Sequence, residues 1–310
     1  MKKILIQENS FFTSDMWECT INHSFRDIHK YYVVKYIKTE LEFKREIENT
    51  NICFSFALDR DFNYQNTKLE LIYLGLSNLD YIDKYNLGNN ILFCSTKGIA
   101  SKMISEYVLM ASMMLIKNIN LTFNNYKKRK WNQASLIHQK KTLIQDYNIG
   151  VLGLGDNGKE IVNIFNKLGC KVSGCSISKK PNIDLYKWYS SPQFHDLIKN
   201  SDILIIALPL NHDTEFLISN QELIYLGSNS YIINISRGDI IVESDLINAL
   251  NKNLIKGAAI DVCTNEPPGR WSRLWKTKNL ILTPHISGNI NSFVNEVQSD
   301  FISKVKSLLT

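Results

Sequence analysis

The sequence predicts an α/β protein built on mainly parallel sheets, and three observations lead there. Short apolar runs alternate with longer amphipathic stretches along the whole chain, the pattern of strands exchanged with helices rather than of a sandwich or a bundle. One of those runs ends in Gly153-Leu-Gly155-Asp-Asn-Gly158 and opens directly into a helical pattern. The length, 310 residues, divided by roughly 150 per domain gives two domains, each able to bury a sizeable core.

Strands are expected at Lys3 to Ile6, Tyr32 to Tyr36, Ile52 to Phe56, Leu69 to Leu74 and Ile91 to Cys94, completing a first α/β unit. Ser101 opens an apolar-periodic stretch through Tyr107, Met110, Met114 and Ile116, expected to be a connecting helix whose methionines are core. A second series of strands follows at Ile149 to Leu152, Lys171 to Cys175, Ile203 to Leu208, Tyr231 to Ile235, Ala258 to Val262 and Leu280 to Leu282. Helical patterns at Gly158 to Leu168 and Ser244 to Leu250 lie between them. All six prolines fall after residue 180, in positions read as loops or strand ends.

Composition excludes several classes. Hydrophobic residues at 44% and charged residues at 21% are globular values. The 36 basic against 30 acidic side chains leave +6, spread out except for Lys127-Lys128-Arg129-Lys130, which is read as solvated surface and not as a nucleic-acid site. The longest apolar runs, Tyr107 to Ile116 and Ile203 to Leu210, fall short of the roughly 18 residues of a membrane span. Gln7-Glu8-Asn9 ends the first apolar run too early for a signal peptide, so a cytoplasmic address is expected. The six cysteines lack CxxC spacing and mostly sit in apolar runs, which argues against zinc and against a disulfide framework.

The glycine turn carries the chemistry of the second half. After a strand, Gly153 allows a tight turn, Gly155 lets a pyrophosphate approach the backbone, and Gly158 lets the helix pack on the strand, while N–H groups at the helix start face the phosphates. The next strand ends Cys175-Ser176-Ile-Ser178-Lys179-Lys180, with no acid to accept bonds from a free adenosine ribose. Ser176 and Ser178 can donate to a 2′-phosphate and Lys179 and Lys180 can neutralise it, so NADP(H) is expected ahead of NAD(H); a solvated Ser/Lys loop tolerating either is the plain alternative. Arg237, Glu266 and His285 each stand just past a predicted strand of the same half, where open α/β sheets place their ligand crevice.

These segments together resemble the D-isomer-specific 2-hydroxyacid dehydrogenase family over nearly the whole chain. The matching stretches are Gly75 to Asp80, Lys97 to Glu106, Gly153 to Gly158, Leu208-Pro209-Leu210, Asn234-Ile-Ser-Arg237-Gly238, Gly257 to Pro267 and Thr283-Pro-His285-Ile-Ser-Gly288. The phrases at 208 and 234, with the missing acid near 176, look most like the glyoxylate/hydroxypyruvate-reductase-type branch.

The resemblance implies two Rossmann-like or flavodoxin-like domains with a cleft between, parallel sheets flanked by helices. Residues 1–97 with 289–310 would form the substrate domain and 98–288 the dinucleotide-binding domain, with hinges near Gly98 and Gly288. It implies hydride transfer between a nicotinamide cofactor and a small 2-oxo or D-2-hydroxy acid. His285 would be the acid/base, Glu266 its partner favouring the protonated ring, and Arg237 the carboxylate anchor, joined by backbone N–H groups at Leu74, Gly75 and Leu76. Cofactor contacts would come from Gly153, Leu154, Gly155, Asp156, Asn157, Gly158, Ser176, Ser178, Lys179, Leu208, Pro209, Ile235 and Asp261, the last at the nicotinamide carboxamide or else merely capping its own loop. A homodimer arm is expected around Tyr126 to Trp131.

One departure is Asp156, a carboxylate beside the expected pyrophosphate, read as a helix cap pointing outward. Two other readings stay open: an NAD(P)-sensing regulatory protein on the same fold, and a relative acting on formate, phosphite or a phosphorylated hydroxy acid.

Overall fold

The computed structural model describes all residues except 59–61, 65–66, 77–89, 132–142, 289 and 310. The chain divides into two compact units, Met1–Ala100 with Asn289–Thr310, and Ser101–Gly288.

The first unit is a five-stranded parallel sheet in the order β2-β1-β3-β4-β5, with strands at Lys2–Gln7, Tyr32–Ile37, Ile52–Ser55, Leu71–Leu74 and Leu92–Ser95. Both faces are covered, as an all-parallel sheet requires. Alternation sends Ile4, Ile6, Ile52, Phe54, Leu71 and Tyr73 into one core and Leu5, Cys53, Ile72 and Leu74 into the other. The first core is completed by helix α1 (Ser14–Ser24) and by a helix from the far end of the chain, α9 (Ile290–Ser307). Trp17 of α1 and Phe301 of α9 meet edge to face at 5.3 Å, and each also packs edge to face on Phe54. Helix α2 (Glu40–Glu46) starts on a capping box between Thr39 and Glu42.

The second unit is a seven-stranded parallel sheet in the order β12-β11-β10-β9-β6-β7-β8. Its strands are Asn148–Leu152, Lys171–Ser176, Lys187–Ser190, Ile203–Ile206, Tyr231–Asn234, Gly257–Ile260 and Leu280–Leu282. Strand order reverses at β6, which pairs with β7 on one side and β9 on the other, so the ligand crevice is expected at the carboxyl ends of β6 and β9. Ile149, Val151, Ile203, Ile205 and Ile233 face one core, and Leu152, Leu204, Ile206 and Ile232 the other.

Among the described residues, this unit's α-helices are α3 (Ser101–Ile116), α4 (Ile119–Lys127), α5 (Asp156–Lys167), α6 (Phe194–Lys199), α7 (Asn220–Leu226) and α8 (Glu243–Asn251). Asn118, left-handed at φ 51°, separates α3 from α4. Edge strand β8 was not foreseen: Lys-Trp-Tyr-Ser has no apolar run, and only Tyr189 is fully buried. Among the described residues no helix is long and apolar enough to cross a membrane.

Candidate active site

The glycine turn follows β6 directly, and each glycine has its own constraint. Gly153 takes φ 96°, and a Cβ there would stand 2.5 Å from the Ala207 carbonyl oxygen just past β9. A Cβ on Gly158 would meet the Gly153 carbonyl oxygen at 2.0 Å, so close packing of α5 on the turn admits no side chain. At Gly155 a Cβ would meet nothing within 4 Å, which leaves open space beside the first turn of α5. Helix N-termini present N–H groups without intrahelical partners, so this space suits a diphosphate.

Around the turn, several side chains differ from their expected parts. Asp156 is no cap: Gly155 holds the N-cap position and Asp156 is the exposed first helical residue, without a capping bond. Leu154 and Ile235 point into the core and have only backbone to offer a ligand. Asn157 accepts a 2.7 Å bond from Ser101 Oγ at the start of α3. The Leu208 carbonyl accepts from Ser236 Oγ and that of Pro209 from Thr214 Oγ1 at 2.6 Å, so this segment is fixed by its own unit.

Ser176 also needs correction. Its hydroxyl donates to the Ser178 carbonyl at 2.8 Å and accepts from Trp188 Nε1 at 3.1 Å. A hydroxyl has one proton, and in this arrangement that of Ser176 is taken up by the Ser178 carbonyl, so the side chain shapes its own loop. Ser178, Lys179 and Lys180 are exposed.

The charged trio lies on three adjoining loops of the second unit. Asn234, buried, ties the first by donating to the Arg237 carbonyl at 2.8 Å and accepting from Ser236 N–H at 3.0 Å. Arg237 itself is exposed. Gly238 then comes so near the second loop that a Cβ would stand 2.1 Å from the Cys263 carbonyl carbon. In that second loop, Cys263 N–H donates to Glu266 Oε1 at 3.2 Å, and Glu266 Oε2 lies 2.8 Å from His285 Nδ1. The carboxylate therefore spans its own loop and the imidazole, leaving Nε2 as the ring's other polar atom.

His285 adopts φ 54°, a left-handed conformation unusual outside glycine. Asp261 holds it there. Its backbone carbonyl accepts from His285 N–H at 2.9 Å, Oδ1 from Ile286 N–H at 2.9 Å, and Oδ2 from Ser287 N–H at 2.7 Å. Thr283 Oγ1 adds a 2.5 Å bond to Oδ1. With 1% of its surface exposed, Asp261 serves the His285 loop, and the loop-capping alternative describes it better than the carboxamide contact. The partners are mostly backbone N–H groups, which no residue-type motif reveals.

In the first unit, Leu74 is the buried end of β4, and Gly75 N–H donates to the Ser55 carbonyl at 2.8 Å. Gly75 is thus not a free donor, and its lack of a side chain makes room for the ring of Phe56. Leu76 is exposed; the rest of the expected 75–80 motif lies outside the described residues.

A seven-stranded doubly wound sheet with an open glycine turn at its switch point defines a dinucleotide-binding protein. Residues 109–287 match the D-isomer specific 2-hydroxyacid dehydrogenase NAD binding domain, and the chain belongs to that family. It is 30% identical over 216 residues to glyoxylate/hydroxypyruvate reductase A HPR2 of Arabidopsis thaliana, covering 68% of this chain and 67% of that protein. Matches to two further curated relatives span 58% and 48% of their lengths. In fold it is similar to an NADPH-dependent glyoxylate/hydroxypyruvate reductase from Sinorhizobium meliloti, solved with NADP and sulfate (TM-score 0.78, 20% identity, 100% of this chain and 94% of that one). It is also similar in fold to a D-isomer specific 2-hydroxyacid dehydrogenase from Lactobacillus delbrueckii ssp. bulgaricus in its NAD complexed form (TM-score 0.76, 22% identity, 99% of this chain and 98% of that one).

Proposed function

We propose that this protein reduces small 2-oxo acids to D-2-hydroxy acids with a nicotinamide cofactor, NADPH ahead of NADH. The observation that carries this reading is the 2.8 Å pairing of Glu266 with His285 beside the Arg237 loop. Arg237 offers a planar fork of donors that fits a carboxylate and the adjacent carbonyl oxygen. His285 donates a proton to that oxygen, while Glu266 fixes the ring's orientation and balances its charge. In oxidation the same nitrogen takes the proton back. When bound, the cofactor supplies the hydride.

The open space at Gly155 fits the diphosphate of such a cofactor, with N–H groups of Gly155 to Gly158 as its holders. The acid-free end of β7, with exposed Ser178, Lys179 and Lys180, supports preference for a 2′-phosphate.

We also assign self-association as a homodimer to the exposed apolar residues Leu121, Phe123 and Tyr126 of α4 and to Trp131. Tyr126→Glu with Trp131→Glu should then sediment as a monomer, and an unchanged mass would remove the assignment.

The test of the reaction is NADPH oxidation, with NADH in parallel, against glyoxylate, hydroxypyruvate, pyruvate, phenylpyruvate and branched 2-oxo acids. Turnover of any of them establishes the reaction class. Silence with tight cofactor binding would favour a sensing protein instead.

A further inference from the structure

Helix α3 touches two functional elements of the second unit. At its start, Ser101 Oγ donates to Asn157 in the first turn of α5 at 2.7 Å. Six residues further along, the Tyr107 hydroxyl lies 2.5 Å from Thr283 Oγ1. Thr283 gives its single proton to Asp261 Oδ1 at 2.5 Å, so Tyr107 is the donor in the first contact. The result is a directed relay, Tyr107 to Thr283 to Asp261, ending on the carboxylate that grips residues 286 and 287 and whose own residue binds His285 N–H. Tyr107 is buried, and that burial pushes its hydroxyl up to about 12, so it remains a donor at any working pH.

A left-handed His285 needs a surround that over-determines its backbone, and the relay supplies one side of it. With Tyr107 replaced by phenylalanine, Thr283 loses its donor and Asp261 faces a threonine free to rotate away. The ring would then sample positions in which Nδ1 no longer meets Glu266.

We propose that Tyr107 is a positioning residue for the reaction, acting through Thr283 and Asp261 to fix the His285 loop relative to the glycine turn. This rests on the reading of His285 as the proton donor.

The test combines kinetics with the ring signals of His285 in ¹³C-histidine-labelled protein, identified by their loss in His285→Asn. In Tyr107→Phe, kcat should fall roughly five- to thirtyfold, the cost of a misplaced catalytic group. KM for the oxo acid and NADPH affinity should stay within about twofold, an interaction made at the transition state and not in binding. Thr283→Val should show the same defect, Thr283→Ser should restore most of the rate, and Tyr107→Phe with Thr283→Val should be little worse than the poorer single variant. The His285 ring signals should shift or broaden in the ligand-free protein. Unchanged kcat with unchanged ring signals in Tyr107→Phe, or a loss confined to thermal stability, would overturn the proposal. If the wild type reduces none of the acids, the reaction reading fails while the ring signals still decide whether Tyr107 fixes the loop.

Discussion

Glu266 reaches His285 with one carboxylate oxygen and the backbone of its own loop with the other, at 2.8 Å from Nδ1 and 3.2 Å from Cys263 N. Such a carboxylate cannot drift from the ring without abandoning a second bond. Glu266→Gln keeps the shape but removes the charge that balances a protonated imidazole. We expect kcat to fall roughly 10- to 100-fold, and His285→Ala to fall by about 10²- to 10⁴-fold, with NADPH binding near that of the wild type in both. Normal turnover in His285→Ala would make the pair structural.

The glycines of the turn should separate folding from binding. Gly155→Ala has room for its methyl and an extended backbone, so its unfolding free energy should stay within about 0.5 kcal/mol of wild type. The methyl would fill the space assigned to the diphosphate, and NADPH affinity should drop at least about tenfold, or ~1.4 kcal/mol. Gly158→Ala drives a methyl into backbone and should lose about 1–3 kcal/mol of stability. Wild-type cofactor affinity in Gly155→Ala would remove the turn from the binding site.

Cofactor choice should depend on the lysines and not on Ser176. Replacing Lys179 and Lys180 together by alanine should weaken NADPH about tenfold and leave NADH unchanged, since only the 2′-phosphate meets those charges. Ser176→Ala frees Trp188 Nε1 and the Ser178 carbonyl, so it should impair both cofactors by a similar factor. A selective loss of NADPH in Ser176→Ala would restore the direct contact first expected of it.

Glu46 gives a pH-dependent stability in the first unit. Bonds from Lys3 and then Lys35 hold its carboxyl down at about 2 against an ordinary 4.5. A depressed carboxylate contributes stability above its unfolded pKa and loses it as pH falls from about 4.5 through 2. Surface ion pairs are worth ~0.2–1 kcal/mol each, so Glu46→Gln should cost about that at pH 7. Urea unfolding of both proteins should show a constant gap from pH 7 to 5 that narrows below 4.5; a gap independent of pH would mean the cost is not electrostatic.

Thiol chemistry should find a single fast site. Cys19 is exposed, whereas burial pushes Cys170 and Cys175 up to about 11 and Cys53 to about 12, and raises Cys94 and Cys263. Native protein should react rapidly at one cysteine, and Cys19→Ser should abolish that phase. Fast reaction at Cys53, Cys170, Cys175 or Cys263 would contradict their burial, and at Cys94, which is only half-buried, would contradict its raised pKa.

What the sequence revealed and concealed follows from how far each signal reaches along the chain. Strands buried on both faces advertise themselves, as Ile203–Ile206 does, and a glycine turn is local by nature. Strand β8 is an edge whose pairing, Ser176 against Ser190, depends on a neighbour rather than on its own apolarity. Asp261 sits in a recognisable motif, but its work is done on residues 283 to 287, more than twenty positions away, mostly through backbone. Tyr107 reads as one more apolar residue of a helix stripe because a tyrosine's ring and its hydroxyl carry separate duties.

The use of both chain ends in the five-stranded unit fixes an order of events during synthesis. Residues 101–288 are contiguous and can fold as soon as they leave the ribosome. The first hundred residues emerge earlier, yet Trp17 and Phe54 must wait for Phe301, nearly two hundred and fifty positions after Phe54. At about 5–20 residues per second that delay is roughly 12 to 50 seconds, in which an aromatic surface stands uncovered. The N-terminal unit is therefore the stretch of a nascent chain on which a chaperone has reason to sit.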